Sequence, residues 1–532
     1  MNAFPAASPP TAAKLRGGYY TPAEIGQFLA ECVNPTGPKL LEPSCGDGAI
    51  LHFLRPSTEL TGIELAPDEA GKAKAAAPAA TVIEADFFEW LDSTELASWD
   101  GVAGNPPFIR FQNWTEPTRS LAFEVMRKVS MKPTKLTNAW VPFVVGAVLA
   151  LRAGGRLALV VPAELLQVTY AAELRAFLLD EFEELTAVTF RRLLFDRVLQ
   201  EVILLVGTRG EGPAHMRVVE VEDATSLPSP DALIELPHAP ALRHETEKWT
   251  KYFLAPNEIQ ALRTVRDSPT RLTRLGELAD VDVGVVTGRN QFFVLRPSST
   301  AERGLQEYVM PLVSKSAHLR GIRFDRADLA ELEDADALCR LLAVDPSLQL
   351  GDQGPLHLYV REGEGAEVHR GYKCSVRKQW WAVPSIWRPA AFMLRQIYDH
   401  PRVVANCTGA TSTDTIHRIR MLNGTSPTAL AAASINSVTF AFSEVMGRSY
   451  GGGVLELEPR EAEGLPFPDP RLLNDDDCNA VHRLLRDGGL LVALDYVDRV
   501  LLVERLGIDP ALVVTLRCAW ERLRDRRLAR GR

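Results

Sequence analysis

A chain of 532 residues is longer than one ordinary hydrophobic core fills, so two or three domains are expected. Hydrophobic residues at 46% and charged residues at 24% are the proportions of a globular protein, and exclude a disordered or collagen-like chain. The formal charge of −9 gives by itself no sign of a polyanionic partner, but the charge is unevenly spread.

Between Arg370 and Arg420 nine Lys/Arg stand against Asp399 and Asp414, and from Arg517 to Arg532 seven Arg stand against Glu521 and Asp525. Runs of this kind are most often solvated faces, so each suggests phosphate contact without deciding it. At the terminal stretch the solvated helix is the preferred reading. The seven cysteines (32, 45, 339, 374, 407, 478, 518) show no CxxC or framework spacing, which predicts reduced thiols and a cytoplasmic protein. The ten histidines form no HExxH, and no metal is expected. The start lacks a signal-peptide plan. The most apolar helical run, Trp140 to Leu151, is too short to span a bilayer.

In chain order, residues 1–16 are Pro/Ala-rich and are expected to form a disordered tail. Gly17-Gly-Tyr-Tyr-Thr-Pro22 then opens a helix, with Thr21 as its cap and Pro22 at the first helical position. Lys39-Leu-Leu-Glu-Pro43 reads as a buried strand leading into Ser44-Cys-Gly-Asp-Gly48 and a helix through Phe53. Strand, Gly-x-Gly turn and helix make the nucleotide-binding corner of a doubly wound α/β sheet. A lone Gly-x-Gly is weak evidence, and the GxGxxG of diphosphate binders is absent. Glu42 and Asp47 would repel a diphosphate but suit the amino group and sulfonium of S-adenosylmethionine.

The second strand, Glu59 to Ile63, ends in Glu64, placed to accept ribose hydroxyls. The third, Ala80 to Ile83, ends in Glu84-Ala-Asp86-Phe87. There Asp86 is expected to accept from an adenine amino group while Phe87 covers the ring. After a fourth apolar approach, Trp99 to Ala103, comes Gly104-Asn105-Pro106-Pro107-Phe108. Two prolines hold φ near about −65° and donate no backbone hydrogen bond, so this is a stiff turn at the end of a strand. Alone it would be an ordinary surface turn. Behind three strands that each end in an acid, it offers two oxygens (the Asn105 carboxamide and the Pro106 carbonyl) and one ring (Phe108) to a planar amine.

Tyr20-Thr-Pro22, Leu41-Glu-Pro-Ser-Cys-Gly-Asp-Gly48, Gly62-Ile-Glu64, Ala85-Asp-Phe87 and Asn105-Pro-Pro-Phe108, in this order, resemble the gamma-class (TaqI-like) N6-adenine DNA methyltransferases. Asn138 to Phe143, opening the next helix, and Gly154 to Pro162, the next strand, match as well. Leu194-Phe195 before the strand from Val202 resembles the segment that supplies a second aromatic to an extruded base, although Arg197 to Glu201 departs from that pattern. Within the family the chain resembles the modification methylases of XhoI-type restriction systems.

The resemblance implies a Rossmann-like α/β methyltransferase domain over 17–245, a connector over 246–270 and a mixed α+β DNA-specificity domain over 271–532. Val285 to Phe293 reads there as strand and turn, and Ala429 to Phe442 as a helix. The implied catalytic residues are Asn105, Pro106 and Phe108, with Phe195 as a second stacking ring. Tyr20, Thr21, Glu42, Ser44, Gly46, Asp47, Glu64, Asp86, Phe87, Asn105, Pro107 and Phe143 would hold S-adenosylmethionine. Arg377, Lys378, Arg388 and Arg402 are candidates for DNA contact. The implied partners are double-stranded DNA and a separate restriction endonuclease acting on the same site; a monomer away from membranes is expected.

Cytosine N4, an RNA base or a glutamine side chain stay open as alternative acceptors, because each is an exocyclic amine or amide. A non-catalytic DNA-binding subunit stays open too. A fused nuclease is disfavoured, because little chain precedes Gly17.

Overall fold

The computed structural model describes residues 21–55, 59–192, 201–243, 247–267, 272–351, 353–450 and 452–530. The expected tail, Tyr20 and Phe195 lie outside them. The chain forms two compact units. From Thr21, one takes in the chain to Leu254 together with Arg448–Gly453 and the residues from Asp525 onward; the other takes in Ala255–Gly447 and Val454–Arg524. The stretch 246–270 therefore divides, with the turn of helix Trp249–Phe253 in the first unit and the helix Pro256–Arg266 in the second.

The first unit is built on eight strands: β1 (Lys39–Glu42), β2 (Glu59–Glu64), β3 (Thr81–Glu84), β4 (Trp99–Gly104), β5 (Leu151–Pro162), β6 (Phe182–Phe190), β7 (Val202–Arg209) and β8 (His215–Val221). Their spatial order is β3-β2-β1-β4-β5-β7-β6-β8. β1 to β5 run parallel, and β7 is antiparallel to both of its neighbours. Strands covered on both faces read as continuous apolar runs, and all six residues of β4 are buried. Helix Ala23–Val33 packs on β4 and β5. Helix Trp140–Ala150, apolar around its whole circumference, is buried almost throughout against β5 and helix Thr118–Lys128.

From β1 the chain moves outward through β2 and β3, then crosses back to β4 on the other side of β1. That reversal opens a crevice at the carboxyl ends of β1 and β4, where open α/β sheets bind ligands.

Several local expectations are corrected. The first helix begins at Ala23 with Pro22, which has no side-chain acceptor, in the cap position; Thr21 stands one residue earlier and its hydroxyl accepts from Asn105. The glycine turn leads into a single turn of 3-10 helix, Leu51–Phe53. An unexpected helix, Thr118–Lys128, separates the Asn-Pro-Pro turn from Trp140–Ala150.

In the second unit a five-stranded sheet runs Ala279–Asp282, Ile416–Met421, Ala391–Leu394, Val403–Asn406, Arg323–Phe324. A four-stranded sheet lies beside the core of Phe292, Phe293, Leu341, Tyr359 and Trp381. Val285 to Phe293 is only partly extended: Val285 makes one bridge to Thr413, and Asn290–Phe293 is a helical turn. The helix expected over 429–442 is two, Pro427–Ala433 and Ser437–Met446, bent by 80° where the Asn436 side chain caps the second. No single helix among the described residues is long and apolar enough to cross a membrane.

The arginines of the terminal helix are neither free nor merely solvating. Arg517 pairs with Asp498 (2.8 Å), Arg522 with Glu258 (2.9 Å), Arg526 with Glu220 (2.6 Å) and Arg530 with Glu201 (2.6 Å). Arg527 is buried and donates to the Gly453 carbonyl. The partners of Arg522, Arg526 and Arg530 lie far away in the chain, which is why the stretch reads as a bare basic run.

Candidate active site

The carboxyl ends of β1, β2 and β4 bring the predicted residues together. Glu42 ends β1 and is only 2% exposed. One of its carboxylate oxygens, Oε2, is buried without a hydrogen-bond partner. Burial raises its pKa well above the carboxylate range, the Leu51 backbone partly offsets this, and Asp47 and Glu64 add to the rise. An acid so placed is stabilised by a cationic group brought beside it.

The turn after β1 is shaped by glycine. Gly46 and Gly48 have φ of +52° and +86°, and a Cβ on Gly48 would stand 3.0 Å from the Ala73 Cα. Glu64, at the end of β2, fastens this turn: its Oε2 accepts from Gly46 N at 2.9 Å and its Oε1 from Ala66 N at 2.8 Å. Each oxygen keeps acceptor capacity for a further donor such as a hydroxyl. Asp47 lies half-buried in the same turn.

Directly after β4, Asn105 donates through Nδ2 to the Thr21 hydroxyl at 3.1 Å, and the Ser44 hydroxyl reaches the Asn105 carbonyl at 3.5 Å. Pro106 is buried, Pro107 half-buried, and Phe108 rests its half-buried ring on the core. The Asn-Pro-Pro turn is thus tied to both the first helix and the β1 turn. Ala139 N donates to the Ile109 carbonyl at 2.9 Å, fastening the far end of the turn.

Asp86 and Phe87 also serve the fold. Asp86 Oδ1 caps helix Phe87–Ser93 through Phe88 N (2.8 Å) and Glu89 N (3.4 Å), while Oδ2 accepts from the Thr118 hydroxyl at 2.5 Å. Phe87 is buried and stacked on Phe143, with centroids 5.3 Å apart and planes at 13°. The Phe87 ring packs beneath Gly146 of helix Trp140–Ala150, where a Cβ would meet it at 2.8 Å. The order of strand, acid and aromatic was legible, but the use of the acid as a helix cap was not.

A second cluster at this edge went unread. Asn138 Nδ2 donates to the Tyr170 hydroxyl at 3.0 Å and to Glu164 at 3.3 Å, and the Tyr170 hydroxyl donates to Glu164. Burial, then the Glu164 charge, pushes the Tyr170 pKa up. Glu164 follows β5 directly, so the cluster braces the start of helix Trp140–Ala150 beside the Asn-Pro-Pro turn. The only signal was Asn138 itself, just ahead of that helix.

Among the basic candidates, Lys378 and Arg388 are exposed. Arg377 instead turns inward, donating to the carbonyls of Val286 (3.0 Å) and Thr287 (2.7 Å). Arg402 is half-buried, and desolvation lowers its pKa. No group of His, Cys, Asp and Glu among the described residues is arranged to hold a metal.

The sequence profile of the Eco57I restriction-modification methylase family matches residues 65–195, and that of the C-terminal domain of the type II methyltransferase M.Eco57I matches residues 246–502. The type II methyltransferase M.XamI of Xanthomonas campestris pv. amaranthicola is 24% identical over 85% of this chain and 85% of its own. The type II methyltransferase M.AccI of Acinetobacter calcoaceticus is 20% identical over 74% of this chain and 73% of its own. Among solved structures, the type IIL restriction-modification enzyme MmeI, determined in complex with DNA, matches with a TM-score of 0.57 at 11% identity, over 93% of this chain and 73% of that one. The fold is therefore shared well beyond recognisable sequence. Two profiles in chain order and relatives spanning most of its length support a gamma-class methyltransferase of type II restriction-modification, similar to the Eco57I methylases.

Proposed function

We propose that this methyltransferase moves the methyl group of S-adenosylmethionine to the N6 amino group of an adenine, extruded from a specific double-stranded DNA sequence. The modification would protect host DNA from a separate endonuclease that cuts the same site. The observation that carries the reading is Asn105, held by Thr21 at the carboxyl end of β4, in the row of strand ends that also presents Glu42 and Glu64.

The residues fit the cofactor. The orphaned Glu42 oxygen suits its ammonium group, and Glu64 retains capacity for ribose hydroxyls. The sulfonium supplies an activated methyl group, so the protein needs chiefly to position the acceptor in line with it. The adenine amino nitrogen is a poor nucleophile because its lone pair is delocalised into the ring. Asn105 and the Pro106 carbonyl, accepting its two hydrogens, favour a more pyramidal nitrogen with an available lone pair. Extruding the base costs a few kcal/mol. Stacking on Phe108 returns about 1–3 kcal/mol. Residues from 271 onward supply target recognition, with Lys378 and Arg388 toward phosphate.

The test is to incubate the purified protein with unmethylated DNA and isotopically labelled S-adenosylmethionine, then digest the DNA and identify the labelled nucleoside by mass spectrometry. N6-methyladenine at one recurring sequence is the expected product. N4-methylcytosine, or label confined to RNA or protein, would overturn the assignment.

A further inference from the structure

One surface of the second unit adds exposed apolar groups beside the basic candidate Lys378. It is made by two segments: the loop Val285 to Asn290, and the helical turn Tyr372–Ser375 with the residues that follow it to Lys378. Their inner sides are locked together. Cys374 is fully buried and belongs to the core around Phe292 and Phe293. Arg377 reaches across to the carbonyls of Val286 and Thr287, and its guanidinium lies 5.5 Å from the centre of the Phe293 ring. Gly288 takes a φ of +81°, and a Cβ there would stand 2.6 Å from the Lys373 Cβ, so the two backbones touch as only glycine allows.

The outer side has a different character. Tyr372 is 77% exposed, Val376 66% and Val286 41%. Tyr372 and Val376 stand four residues apart on one turn, which places them side by side. Lys373 and Lys378 are exposed around them. The chain from Val368 to Tyr398 contains no Asp or Glu and six Lys/Arg, and Val283 to Ala301 contains no Asp or Glu and two Arg. Arg370 is accounted for by its ion pair with Glu367, but Lys373 and Lys378 have no carboxylate partner among the described residues.

Single exposed apolar residues are ordinary, but Tyr372 and Val376 stand side by side, with Val286 on the adjoining segment. Here they form an apolar ridge inside a margin of one sign of charge, on a backbone stiffened from behind. The complement of such a surface is a groove with apolar walls between two rows of negative charge. Duplex DNA offers that arrangement, and apolar side chains wedged between its base steps are an established means of gripping it.

We infer that Tyr372, Val376 and Val286 form a ridge that enters a groove of the DNA duplex at the target site, with Lys373 and Lys378 seated on the flanking phosphates and Arg377 acting as the residue that positions the ridge. This rests on the reading of the protein as a DNA methyltransferase. It adds that sequence preference depends on a ridge of apolar contacts as well as on polar readout.

The test uses the full chain with unmethylated plasmid DNA. Wild type is assayed first, and its methylated sites are mapped by sequencing; DNA methylation by wild type tests the underlying reading by itself. Tyr372→Ala and Val376→Ala should then raise the KM for DNA about 10- to 100-fold and broaden the set of methylated sites. The kcat at saturating DNA and the affinity for S-adenosylmethionine should stay unchanged. Tyr372→Phe should restore the wild-type KM. In binding assays with a labelled duplex, Lys373→Ala and Lys378→Ala should each reduce the slope of log affinity against log salt by about one. Wild-type KM and site preference in Tyr372→Ala would overturn the inference while leaving the methyltransferase reading intact. So would a change in oligomeric state by light scattering without a change in DNA affinity, which would mark the ridge as a contact between copies of the chain.

Discussion

Asn105 donates its carboxamide nitrogen to the hydroxyl of Thr21, 84 residues earlier in the chain, at 3.1 Å. That bond engages the nitrogen end of the amide. In the proposed mechanism the carboxamide oxygen is the end that accepts from the amine. Thr21 stands one residue before the cap position that its place in the sequence implied for it, and in the proposed mechanism it positions the Asn-Pro-Pro turn.

Replacing Thr21 by Val keeps the shape and removes this acceptor. One neutral hydrogen bond is worth about 0.5–1.5 kcal/mol. Methyl transfer in Thr21→Val should therefore slow by a few-fold to about tenfold in kcat, with little change in the KM for DNA. Asn105→Ala should lose far more, roughly 100-fold or beyond, because an acceptor that acts on the reacting amine is removed outright. Cofactor affinity, measured by calorimetry, should barely move in Asn105→Ala. Normal turnover in that variant would sink the assigned mechanism.

Glu42 carries a pH prediction. Burial raises its folded-state pKa, so between the ordinary glutamate value of about 4.3 and that raised value the folded chain holds a proton that the unfolded chain has lost. Stability contributed by this group is therefore present at low pH and lost as pH rises through that window. Glu42→Gln removes the dependence. The free variant should melt at a higher temperature than wild type at neutral pH and show a flatter pH profile. It should also bind S-adenosylmethionine much more weakly. Cofactor binding by wild type should release a proton, detected by calorimetry in buffers of different ionisation enthalpy.

Glu64 has two tasks, because the oxygens expected to receive a ribose also hold Gly46 N and Ala66 N. Hydrogen bonds to a charged group are worth about 1.5–3 kcal/mol. Glu64→Ala should weaken S-adenosylmethionine binding by about one to two orders of magnitude. It should also loosen the glycine turn, seen as faster amide exchange at Gly46. Unchanged affinity would mean that Glu64 serves the turn alone.

The buried pair Arg530–Glu201 offers a stability test. Its side chains are 7% and 9% exposed, and the residues lie 329 positions apart. Removing one partner of a buried pair costs about 3–5 kcal/mol, because the other charge is left uncompensated. Arg530→Met should lower the midpoint of denaturant unfolding more than the double variant Arg530→Met, Glu201→Leu. Equal losses would show that the pair is hydrated and weak.

What the sequence by itself determined was the order of the first unit: buried strands, the glycine turn, an acid at the end of each of the first three strands, and Asn-Pro-Pro-Phe after the fourth. Those signals are local. Strand periodicity, glycine at positive φ and proline stiffness act within a few residues, so they survive in a linear reading, and the family resemblance rests on them. Only the tertiary structure decided what each charged side chain does. Asp86 spends one oxygen on a helix cap and the other on Thr118, Phe87 turns into the core beside Phe143, and Arg377 turns inward. The terminal arginines find Glu201, Glu220 and Glu258, carboxylates more than 250 residues away. An arginine looks the same in a sequence whether it meets a phosphate, a carboxylate or a carbonyl. The choice depends on desolvation and on which partner the fold delivers, and no local pattern encodes that delivery.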